Sequence, residues 1–60
     1  MKRYVIPSRD WTKEMVDAIK AAKDGDVLVV QSEAKRVLCE RAIGRMRPGV
    51  AITVEVKRDD

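Results

Sequence analysis

Histidine and phenylalanine are absent from this 60-residue sequence, and cysteine, tryptophan and tyrosine each occur once. One thiol cannot form an internal disulfide, and without histidine it cannot complete a structural zinc site. The missing histidine also removes the commonest general base. Ser8 and Ser32 sit in no motif that would make either a nucleophile. Only three glycines occur, with no glycine-rich loop to let backbone approach a diphosphate. The longest apolar run, Val27-Leu28-Val29-Val30, is far too short to span a membrane. Residues 1–7 lack the apolar stretch of a signal peptide. Together with a lone reduced thiol, these absences lead us to expect a cytoplasmic protein with no membrane partner. We expect no metal, no cofactor and no enzymatic activity.

What is present is charge and aliphatic bulk. Lys and Arg number 13 against 10 Asp and Glu, a net charge of +3, and hydrophobic residues make up 45%. That hydrophobic content is too high for compositional disorder. The length allows one domain at most, here residues 1–60. A domain this small buries only about 60% of its unfolded surface, so stability demands very regular packing or self-association.

Five elements can be read along the chain. Tyr4-Val5-Ile6, an aromatic followed by two β-branched residues, is stopped by Pro7, predicting a strand over 2–6. Trp11, Met15, Ala18, Ile19 and Ala22 fall on one helical face, predicting a helix over 10–23. Ser8 or Asp10 would cap it, and Gly25 would occupy its C′ position. Val27 to Gln31 opens with four aliphatics and no alternation, as in the centre of a parallel sheet. Ser32 caps a second helix over 32–47, ended by Pro48-Gly49. Its apolar row is Ala34, Leu38, Ala42 and Met46, with Val37, Cys39 and Ile43 flanking it. Between 50 and 56, Ile52, Val54 and Val56 alternate with Thr53 and Glu55 as a half-buried strand.

The fold class is therefore α/β: a small three-stranded parallel sheet, β-α-β-α-β, with two helices packed on one face. Helical crossovers make the strands parallel, and right-handed connection follows. The aliphatic run at 27–30 asks for the order 1-2-3. The alternative, 2-1-3, would put Lys2 and Arg3 on a central strand. Order 1-2-3 leaves one sheet face bare, and pairing of two copies across it would cover that face, so a homodimer is expected. Across the helices, Trp11, Met15 and Ile19 are expected to meet Leu38, Ala42 and Met46.

Three groups of residues are candidates for function. Residues 32–47 carry Lys35, Arg36, Arg41, Arg45 and Arg47 against Glu33 and Glu40, and Lys2 and Arg3 add charge at the first strand. A basic helical face of this kind suits nucleic-acid phosphates, bound without sequence preference and in a salt-dependent way. The bland reading is a solvated helix side partly neutralised by pairs such as Arg36–Glu40. The second group gathers Ser8, Arg9, Ser32 and Arg58 at the C-terminal ends of the strands, where two helix N-termini converge and a small anion could be held. There the bland reading is two ordinary serine caps. The third, Asp24-Gly25-Asp26, has too few oxygen ligands for a divalent cation and reads as a helix stop before a strand. Cys39 reads as a buried, inert thiol.

The stretch Asp26-Val27-Leu28-Val29-Val30-Gln31-Ser32-Glu33-Ala34-Lys35, followed by Leu38 and Arg41-Ala42, resembles a strand–helix unit of a helicase second lobe. The likeness covers less than a third of the chain, and no ATP-site motif accompanies it. The sequence thus leads first to a non-enzymatic nucleic-acid binder. Its alternatives are a protein-binding accessory factor, an inhibitor or adaptor using an open sheet face or edge, and a small-anion binder. Compact chains of this size are often associated with phages and mobile elements.

Overall fold

The computed structural model describes residues 1–57. The elements run β1 (Arg3–Val5), α1 (Trp11–Ala21), β2 (Val27–Val30), α2 (Glu33–Met46) and β3 (Thr53–Val56). The sheet has the order β1-β2-β3, and β2 is parallel to both neighbours. All four residues of β2 are buried, which is why the unalternating aliphatic run occupies the centre. Among the described residues, no helix is long and apolar enough to cross a membrane.

Register fixes the two sheet faces. Tyr4, Leu28 and Val54 lie side by side and point to the helices. The core joins Leu28, Val30, Val54 and Ile6 from the sheet to Met15 and Ile19 of α1 and Cys39 and Ile43 of α2. Both helices therefore cover the same face.

The opposite face is not the bare apolar surface expected from the sequence. Arg3 is in register with Val27, and Glu55 with Val29. The Arg3 guanidinium reaches Glu55 at 3.1 Å, from β1 to β3 across the intervening strand. Beneath this pair Val27 is 6% exposed and Val29 1%. As an exposed ion pair it adds at most about 1 kcal/mol. Of the large apolar residues on this face, only Val5 stands open, at 67% exposure. Pairing of two copies through it loses its physical reason.

Several local expectations need correction. Helix α1 is shorter than 10–23, because Ala22 is already extended while its N–H still bonds Ala18 O. Gly25 is not the C′ residue. It sits two residues later in the turn before β2, at φ 90°, where its N–H donates to Ala51 O. A left-handed φ of this kind suits glycine. Asp10 holds the N-cap position with φ 53°, a region aspartate tolerates, but its side chain makes no capping bond. Ser8 does not cap α1 either. Ser32 does cap α2, its hydroxyl accepting from Lys35 N at 3.2 Å.

The largest correction concerns the phase of α2. Cys39 and Ile43 face the core, while Leu38 is 51% exposed, Met46 37% and Val37 41%. Ala34 is also exposed and Ala42 half-buried. Of the row 34-38-42-46, only Ala42 packs against the core that holds Met15 and Ile19; Ala34, Leu38 and Met46 do not. The side chains beside the buried pair are instead Lys35 and Arg36, whose long stems are half-buried.

Candidate functional site

The cations of α2 divide sharply by what they touch. Arg36 donates through Nε and Nη2 to Glu33 and through Nη1 to Glu40, the latter at 2.8 Å. The Glu33 hydrogen bond, above all, holds its guanidinium in the charged form. A phosphate arriving at Arg36 would meet two carboxylates already there. Arg47 turns back beneath α1 and donates to the carbonyl oxygens of Ile19, Lys20 and Ala22. These are orphan acceptors at a helix C-terminus, and the guanidinium Nη1 donates to all three while its charge opposes the negative end of the dipole. Arg47 is a structural clamp between the two helices.

Lys35 also belongs elsewhere. Its ammonium lies 3.2 Å from Ser8 Oγ, 3.5 Å from Gln31 Oε1 and 5.8 Å from the centre of the Trp11 ring. It thus stands at the C-terminal ends of the strands, inside the group expected to hold an anion. Gln31 in turn donates to Ile6 O. Ser8 and Ser32 are brought to this edge together, but Ser32 caps α2 and Ser8 accepts from Lys35. Arg9 is exposed nearby in sequence. Arg58 lies outside the described residues.

Lys2 and Arg3 are on β1 and its lead-in, not beside α2. Arg3 is paired across the open sheet face. The Lys2 ammonium sits 5.1 Å from the centre of the Tyr4 ring, and its backbone N–H donates to Asp26.

That leaves Arg41 and Arg45. Both are exposed, and neither forms an ion pair or side-chain hydrogen bond among the described residues. They are one helical turn apart. With Leu38, Ala42 and Met46 they line a groove of about 400 Å³ on the outside of α2. The sequence alone makes the three apolar residues part of a core-facing row and the two arginines part of a basic face; the structure places all five on one surface. A signal was available in the helix itself: Cys39 and Ile43, four residues apart, form a second apolar stripe.

The remaining candidates are structural. Asp26, 7% exposed, accepts from Lys23 N at 2.9 Å and Lys2 N at 3.0 Å, tying the end of α1 to the start of β1. These bonds, that of Lys23 foremost, lower its pKa. Asp24 accepts from Ala51 N at 2.9 Å. Among the described residues there is no cluster of three His, Cys, Asp or Glu able to hold a metal ion. Cys39 is fully buried, and burial pushes its thiol up to about 11. The thiolate that would make it reactive is therefore scarce at neutral pH.

Comparison of the chain with known protein families, curated proteins and solved structures finds no match.

Proposed function

We propose that this chain is a protein-binding module whose contact surface is the outer side of α2. One observation carries the reading: Leu38 and Met46 stand exposed on the same groove as two cations, Arg41 and Arg45, that nothing in the described structure neutralises. A domain this small has little apolar material to spare for its core. A half-exposed leucine beside a methionine, rimmed by arginine, has the composition of an interface core.

The nucleic-acid reading is weaker on the same ground. Of the seven cations that could serve it, Arg36, Arg47, Lys35 and Arg3 already have partners, and Lys2 lies on the lead-in to β1 rather than on α2. Two arginines offer few phosphate contacts, and the apolar groove between them has no use on a phosphate backbone.

The test is capture by the immobilised chain, run with and without nuclease and repeated with Leu38→Gln. A partner that survives nuclease and is lost with Leu38→Gln supports the reading. Capture that vanishes with nuclease, or direct salt-dependent binding of generic oligonucleotides unaffected by Leu38→Gln, returns the nucleic-acid reading to first place.

A further inference from the structure

We infer that the groove on α2 receives an acidic amphipathic helix of a partner protein. This inference rests on the protein-binding reading above and adds the chemistry of the partner.

The shape of the site selects a helix. Leu38, Ala42 and Met46 follow one another at four-residue intervals, a row about 12 Å long at 1.5 Å per residue. Such a row is a ridge with a groove beside it, and small Ala42 in its middle lets a second helix approach closely. An extended peptide would gain nothing comparable here. The backbone groups of α2 are bonded within the helix, so a strand laid along it would find no ladder to join. A helix arrives with its own backbone satisfied and needs only side-chain contacts.

The charge of the site selects an acidic partner. Arg41 and Arg45 flank the row, while the two carboxylates of α2, Glu33 and Glu40, are drawn to the other flank by Arg36. The groove thus carries two positive charges and, among the residues lining it, no negative one. A second copy of this chain is a poor occupant. Antiparallel pairing of two α2 helices would bring four arginines together with no carboxylate between them. A helix with apolar residues at i, i+3 or i+4 and i+7, edged by Glu or Asp, would fill the groove and meet both guanidinium groups.

The other surfaces fit such a ligand less well. The groove beside β1 has a similar volume, about 410 Å³, but its lining includes Glu14 and Asp17 as well as Arg3. On the open sheet face the Arg3–Glu55 pair lies over the valines.

The experiment is selection of a displayed library of random peptides, each long enough for about four helical turns, against the intact chain. The bound peptides are then mapped by amide chemical-shift changes. The expected result is enrichment of acidic amphipathic sequences that shift amides within 34–46. Their affinity should fall about tenfold or more with Arg41→Glu plus Arg45→Glu. Because both positions are exposed, circular dichroism should show that variant folded, and Lys-for-Glu versions of the peptides should bind it again. Peptides that map to 34–46 but are neutral or basic would overturn the acidic assignment and leave the protein-binding reading standing. Peptides that map elsewhere, or no enrichment at all, would overturn both.

Discussion

The two helices solve the same packing problem in different ways. Helix α1 turns its apolar residues inward: Met15 and Ile19 are buried, as is Ala22 at its end, and Lys13, Glu14, Asp17 and Lys20 face water. Helix α2 buries Cys39 and Ile43, flanks them with the half-buried stems of Lys35 and Arg36, and leaves Val37, Leu38 and Met46 exposed. Packing within the domain accounts for the apolar face of α1. It does not account for α2, whose outer side carries more apolar surface than a solvated helix needs. The contrast separates residues that hold the fold from residues that are available to a partner.

The sharpest way to break that contrast is in the core. Ile19 is fully buried, and Ile19→Ala should cost about 2–5 kcal/mol, enough to unfold much of so small a domain, measured by urea denaturation. A loss under about 1 kcal/mol would mean that α1 is not the packed helix described.

Next comes the clamp between the helices. Arg47→Ala removes a charged donor from three carbonyl groups at the end of α1 and should cost about 1–3 kcal/mol. Arg47→Lys should recover only part, because the lysine side chain is one atom shorter and its ammonium is more strongly hydrated. Amide exchange should accelerate most in the last turn of α1. Arg41→Ala, by contrast, should leave both measurements unchanged.

A smaller effect is expected at Asp26. Its pKa is lower in the folded chain than its ordinary value, because the carboxylate accepts from Lys23 and Lys2. The native state therefore takes up this proton less readily than the unfolded state. The stabilisation is complete above the ordinary carboxylate range and is lost as pH falls through it toward the folded value. Asp26→Asn should lower stability at neutral pH and flatten the acid limb of the stability profile. An unchanged acid limb would show that these bonds are not formed in solution.

Much of the fold was legible because it rests on short-range signals. Pro7, Ser32, Pro48-Gly49 and the aliphatic run at 27–30 mark strand ends, a cap, a stop and a sheet centre without any tertiary information. The alternation of Ile52, Val54 and Val56 likewise fixed the inward face of β3. The phase of α2 was not legible in this way. Its sequence offers two stripes, 34-38-42-46 and 39-43, and the richer one lost. Deciding between them required knowing that Lys35 reaches Ser8 and Trp11, and that Arg47 reaches α1, contacts spanning 24 to 28 residues. The cover over Val27 and Val29 was hidden for the same reason, since Arg3 and Glu55 lie 52 residues apart and meet only through register. The basic character of 32–47 was plain from composition, but not which arginines were already engaged.

The difference between the helices reduces to one comparison on α2 itself, Leu38→Gln against Ile43→Ala, read as unfolding free energy over a range of protein concentrations. The account predicts that Ile43→Ala costs about 2 kcal/mol or more, while Leu38→Gln changes stability by no more than about 0.5 kcal/mol at every concentration. A Leu38→Gln loss as large as that of Ile43→Ala would contradict it, placing Leu38 inside a packed interface of the chain with itself rather than on a surface open to a partner.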